Sequence, residues 1–201
     1  TVDEMKEIAS KAYNEKNYKE AIKWFQKAAE LGDSEAQYQL GRCYYYGEGI
    51  IKNLEETVKW LQNAAEQGNT DGMYCLALCY EHGRGTEMSK EMAAATYEKA
   101  AVKGHAPSQW NLAVCYLNGS GCEQDQVNGY MWAYKAADQN YNLAVDGLRY
   151  QYHSVENIIE RYASADTDLR LEETQYDGRL ERCEFLKKDD ELTIQVGKDK
   201  N

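Results

Sequence analysis

The sequence predicts an all-α protein, an α-solenoid of stacked helical hairpins with a short β-containing tail. Three observations carry this expectation. A single proline, Pro107, and 15 glycines punctuate a chain rich in alanine, leucine and tyrosine, a composition of helices parted by glycine turns. Aligned residues recur every 36 positions: Leu40, Leu76, Leu112 and Leu148 fall in step, as do Tyr44, Tyr80, Tyr116 and Tyr152. A period of this size marks a stacked supersecondary unit. The glycine pairs Gly47/Gly49, Gly83/Gly85 and Gly119/Gly121 repeat in the same register, and each falls between two helix-period stretches.

Taken in order, residues 2–33 read as a hairpin with a short turn, NEKN leading into YKEAIKWFQKAAELG without a glycine pair. Three full units follow, at about 36–69, 72–105 and 108–141. In the first of these, Ala36, Leu40, Gly41, Cys43 and Tyr44 follow 3-4 spacing, and Val58, Leu61, Ala64 and Ala65 do so in its second helix, giving two amphipathic faces. Small residues at Gly41, Ala77 and Ala113 beside the leucines allow close helix approach. Each second helix ends on the pair Ala28-Ala29, Ala64-Ala65, Ala100-Ala101 or Ala136-Ala137, and Gly32, Gly68 and Gly104 then supply a left-handed stop. Trp24, Trp60 and Trp132 share a register that Thr96 interrupts. Residues 144–165 start a fourth unit, AVDGLRYQY, and continue as a polar helix suited to capping a stack. The solenoid is thus expected over 1–165. The tail, 166–201, has a Tyr-Asp-Gly turn signal and the alternating run DELTIQV, which predict two or three short strands.

The units AQYQLGRCYYYGEGIIKNLEETVKWLQNAAEQG, GMYCLALCYEHGRGTEMSKEMAAATYEKAAVKG and SQWNLAVCYLNGSGCEQDQVNGYMWAYKAADQN resemble the Sel-1-like repeat, a relative of the tetratricopeptide repeat. Departures are modest: Thr57 and Gly129 replace the usual alanine, and Ala77 and Ala113 the glycine after leucine. The resemblance implies a right-handed superhelix whose first helices line a concave face. It also implies adaptor roles without catalysis.

Charge and chemistry narrow the function further. Asp and Glu total 34 against 23 Lys and Arg, a net charge of −11, which disfavours nucleic acid or an anionic membrane as the main partner and suits a basic protein. No apolar run reaches the roughly 20 residues that span a bilayer. His82, His105 and His153 lack the i, i+4 partner of a helical metal site, and read as exposed or groove-lining. The carboxylates form no close apolar pair for acid-base work; neither an active site nor a cofactor is expected. Cys43, Cys79 and Cys115 are repeat-equivalent and read as compact hydrophobes. The disulfides of some secreted Sel-1-like proteins are implied at Ala29/Gln37, Ala65/Met73 and Ala101/Gln109, where this chain has no cysteine. This points to a reducing, cytoplasmic compartment. The chain begins at Thr1 rather than methionine, which leaves a secreted or envelope location open.

The tetratricopeptide relationship also implies ligand-contacting positions at fixed offsets from each leucine. Carried onto these units, it selects Tyr38, Arg42, Tyr45 and Tyr46, then Tyr74, Glu81 and His82, then Trp110 and Asn118, and finally Asp146 and Tyr150. Tyr38, Tyr74 and Trp110 would form an aromatic line suited to a peptide. The expected function is a non-catalytic scaffold holding a peptide or protein segment. The alternative is a regulatory or targeting region of a longer protein with a catalytic or nucleic-acid-binding part elsewhere.

Overall fold

The computed structural model describes residues 1–148, 183–188 and 191–196. Eight helices fill most of the first stretch: α1 (Val2–Asn14), α2 (Tyr18–Glu30), α3 (Ser34–Tyr46), α4 (Leu54–Glu66), α5 (Thr70–His82), α6 (Lys90–Val102), α7 (Ala106–Asn118) and α8 (Gln126–Asp138). Each packs on its neighbours in sequence, and α3 also touches α5. This is the repeating hairpin stack that the 36-residue period predicts. A further helical segment occupies residues 142–148; the expected capping helix beyond it, and the expected boundary near residue 165, lie outside the described residues. In the tail, β1 (Cys183–Lys188) and β2 (Glu191–Val196) pair antiparallel, with Phe185 opposite Ile194. The chain divides after Ala144 into two compact units.

The helix starts are fixed by side chains. Asp33, Asn69 and His105 each accept a hydrogen bond from the backbone N–H three residues on, and Asn53, Ser89 and Asp125 do the same for the second helices. Such caps satisfy amide groups that the helix itself leaves unpaired. They also place the first helices two residues earlier than the apolar periodicity alone suggests. The core is the repeated one: Leu40, Leu76 and Leu112 are buried, as are Ala28, Ala64, Ala100 and Ala136. A fully buried leucine contributes about 2 kcal/mol.

The two glycines of each loop have different duties, which the repeat pattern alone does not separate. Gly47, Gly83 and Gly119 close the first helices in the left-handed conformation, φ 75°, 63° and 64°. The second glycine instead meets the preceding hairpin: a Cβ on Gly49, Gly85 or Gly121 would overlap the backbone of Tyr18, Leu54 or Lys90, at the start of α2, α4 or α6. It therefore combines a positive φ with a close approach between units.

Hydrogen bonds also tie successive units together. Gln37 Nε2 donates to the Ala29 carbonyl and Gln109 Nε2 to that of Ala101, both at 3.1 Å. These are the positions where the resemblance implies disulfides, so a buried amide here joins the helices that a disulfide joins there. Gln67 and Gln139 in turn donate to the Gln37 and Gln109 side-chain carbonyls.

Candidate functional site

The second helices and the leucine register fix where the first helices present their remaining faces. Between α3 and α5 lies a groove of about 430 Å³, lined by Tyr38, Arg42, Tyr45, Tyr46, Tyr74, Cys75, Leu78 and Arg84, with buried Thr57 and Leu61 of α4 at its base. Gly41 belongs to the same base, where a Cβ would stand 3.2 Å from Leu61; that distance is tight enough to explain a small residue and loose enough for the alanine of the later units.

Aromatic and cationic groups alternate along this groove. The Arg42 guanidinium stands 5.7 Å from the Tyr38 ring centre, and Arg84 and Lys52 stand 5.8 and 5.5 Å from that of Tyr45, within cation–π range. Arg84 Nη1 donates to the Tyr45 hydroxyl at 2.6 Å, and Arg42 Nη1 to Gln39 Oε1 at 3.1 Å. Tyr45 and Tyr46 meet edge-on, 5.0 Å apart. Burial pushes the Tyr38 hydroxyl up to about 12 and the Cys75 thiol up to about 11, so both are neutral at physiological pH.

One repeat further on, a second cavity of about 560 Å³ is lined by Leu78, Glu81, His82, Lys90, Asn111, Val114, Asn118 and Ser120. Its chemistry differs because a carboxylate, Glu81, and the Lys90 ammonium line it where the first groove has guanidiniums. The Tyr97 hydroxyl donates to Glu81 Oε2 at 2.7 Å, and burial followed by this hydrogen bond raises the Tyr97 hydroxyl strongly. The Tyr74 ring packs 6.0 Å from that of Tyr97 and 5.4 Å from that of His105.

The structure thus gathers Tyr38, Arg42, Tyr45, Tyr46 and Tyr74 around the first cavity, and Glu81, His82 and Asn118 around the second. Trp110 is half-buried and lines neither, whereas Tyr38 and Tyr74 line the first cavity. Asp146 is exposed in the second compact unit, and Tyr150 lies outside the described residues. Sequence offsets did not select Cys75 or Arg84. Arg84 sits between the two loop glycines, a place with no counterpart in the tetratricopeptide offsets, and only the folded loop brings it to Tyr45. His105 lines no groove: its Nδ1 caps α7 through Ser108 and its Nε2 lies 3.3 Å from Asp71 Oδ1. Cys43, Cys79 and Cys115 are buried free thiols, while Cys75 and Cys122 are half-buried and also free.

The Sel1 repeat family model matches residues 15–33, 34–69, 70–105 and 106–141, more than half of the chain. The chain belongs to the Sel1 repeat family. A protective antigen of uropathogenic Escherichia coli that displays an SLR fold is 29% identical, with a TM-score of 0.69; the match covers 72% of this chain and 32% of that one. A Sel1 repeat protein from Oxalobacter formigenes is 32% identical, with a TM-score of 0.59, over 63% of this chain and 50% of that one. The Helicobacter pylori cysteine rich protein B, at 22% identity and a TM-score of 0.53 over 65% and 93% of the two chains, shares the fold. No curated protein matches the chain. Sel1 repeat proteins are generally non-catalytic scaffolds for protein–protein interaction. Among the described residues, no helix is long and apolar enough to cross a membrane.

Proposed function

We propose that this Sel1 repeat protein is a non-catalytic scaffold that holds an extended peptide or protein segment in the groove between α3 and α5. The observation that supports this reading is the groove itself, where Tyr38, Tyr45, Tyr46 and Tyr74 offer half-buried or exposed aromatic surface beside two guanidiniums. Aromatic side chains give much contact area for little loss of rotamer freedom, and Arg and Tyr are the residues that most often dominate binding energy. The net charge of −11 sets a long-range field that favours a partner basic as a whole, whereas contacts within the groove are set at shorter range than the roughly 8 Å over which salt screens.

Tyr45 and Tyr46 provide a test that does not disturb the core, since Tyr46 is 61% exposed and Tyr45 half-buried at the rim. Peptides selected on the intact chain from a random library are expected to bind the Tyr45→Ala/Tyr46→Ala double variant at least about tenfold more weakly, with an unchanged urea midpoint. Equal binding to both proteins would remove the groove from the proposal.

A further inference from the structure

We infer that the segment held between α3 and α5 is acidic, bound through carboxylates that Arg42 and Arg84 receive. This rests on the groove reading above and names the chemistry of its occupant. Arg42 and Arg84 are the two arginines of residues 1–148 in a chain with 34 acidic side chains, and both line the same groove. Among the described residues neither forms an ion pair with a carboxylate.

The nearby acids are spoken for. Glu35 accepts hydrogen bonds from Gln39 and from Asn69 of the next unit, Asp71 faces His105, and Glu48 accepts from Tyr13 at 2.7 Å. None of them lines the groove, and no other carboxylate does. The Arg42 and Arg84 guanidiniums are thus the charged side chains of its lining, with the Lys52 ammonium beside the rim at Tyr45.

Geometry adds to the charge. Among the described residues each guanidinium has one side-chain acceptor, Gln39 for Arg42 and Tyr45 for Arg84, for its five N–H donors. A carboxylate can take two parallel N–H bonds from the remaining fork. Tyr45, by accepting from Arg84, keeps its own O–H as a further donor at the groove. At the equivalent positions of the next unit, Arg42 becomes Leu78, Tyr45 becomes Glu81 and Arg84 becomes Ser120, so the guanidinium pair belongs to this groove, whereas the second cavity sets the Lys90 ammonium beside the Glu81 carboxylate. The occupant's apolar residues would lie against Leu78 and the Tyr74 ring.

The test uses three fluorescein-labelled 12-residue peptides of one scaffold, each with a central leucine and tyrosine, whose other positions are Asp/Glu, Asn/Gln or Lys. Binding to the intact chain, to Arg42→Gln, Arg84→Gln and the double variant is followed by anisotropy at low and physiological salt, with urea midpoints as a check on folding. The acidic peptide is expected to bind at least about tenfold tighter than the neutral one. Each single variant should lose roughly tenfold, and added salt should weaken the wild-type interaction. Neutral and acidic peptides that bind equally well, with no effect of the Gln variants, would overturn the inference while leaving the scaffold reading intact. Binding of none of the three peptides would overturn both. Displacement of the acidic peptide by a short oligonucleotide at similar concentration would reassign the arginines to phosphate. A wild-type dimer in sedimentation that the double variant lacks would reassign them to a second copy of the chain.

Discussion

The grooves on either side of α5 occupy equivalent places in the repeat and differ in chemistry. Between α3 and α5, Arg42, Tyr45 and Arg84 line a groove with no carboxylate; between α5 and α7, the residue at the Tyr45 position is Glu81, whose Oε2 accepts from the Tyr97 hydroxyl and which shares its cavity with Lys90. Tyr97 itself replaces Leu61 of the previous unit and is fully buried. The same backbone thus carries a buried tyrosine–carboxylate contact in one interval and, on the proposal made above, a ligand site in the other. In a repeat protein each unit contacts its neighbours alone, so such differences between units stay local, and function can be confined to one interval without disturbing the stack.

The comparison can be broken most severely at the loop that both intervals share. Gly85→Ala forces a Cβ into the Leu54 carbonyl at a positive φ, and is expected to cost at least about 3 kcal/mol in urea unfolding. Gly83→Ala, two residues away, meets only the conformational penalty of the left-handed region and the Met88 side chain at 3.2 Å; about 1–2 kcal/mol is expected. Similar losses at the two sites would mean that the second glycine makes no special contact between units.

Tyr97 isolates the cohesive interval. Tyr97→Ala should cost about 3–5 kcal/mol, as large-to-small changes at buried aromatic sites do. Tyr97→Phe keeps the packing and removes the hydrogen bond to Glu81, for about 1–2 kcal/mol. Tyr97→Phe, which keeps the ring that Tyr74 packs on, should alter peptide binding between α3 and α5 by no more than about twofold if the units act locally. The mirror change, Arg42→Leu, copies Leu78 into the first groove; its urea midpoint should move by less than about 0.5–1 kcal/mol, with acidic-peptide binding lost.

Alkali should reveal the buried acids that all intervals share. Cys43, Cys75 and Cys79 are pushed by burial from 9.0 up to about 11 and Cys115 to about 12, while Tyr13 and Tyr38 rise from 10.0 to about 12. The folded state thus holds protons that the unfolded chain releases at lower pH. Stability is fully present below about pH 9 and falls as pH rises through the folded values near 11–12. A Cys43→Ala/Cys79→Ala variant should show a shallower decline between pH 9 and 11, read from urea midpoints at each pH.

The eight-helix stack was legible because a repeat writes its core several times over: Leu40, Leu76 and Leu112 each confirm the others. The groove was legible in part. Tyr38, Arg42, Tyr45, Tyr46 and Tyr74 follow from offsets along a single helix, which a helical period transmits faithfully. Arg84, Cys75 and the hydrogen bond of Glu81 to Tyr97 do not, because they depend on which hydroxyl or guanidinium arrives from another helix or loop. His105 was misread for a related reason: a cap is defined by the amide it accepts from, and histidine at that position carries little sequence signal compared with the Asp33 and Asn69 that precede it.

The central claim, that binding capacity lies on one side of α5 and not the other, is tested most directly by chemical-shift mapping of the isotopically labelled intact chain with the acid-rich peptide. The account predicts shifts at the Arg42 and Arg84 side-chain N–H signals and at the Tyr45, Tyr74 and Cys75 amides, with Asn111, Asn118 and Ser120 unmoved. Shifts centred on Asn111 and Asn118, or spread evenly over both intervals, would contradict it.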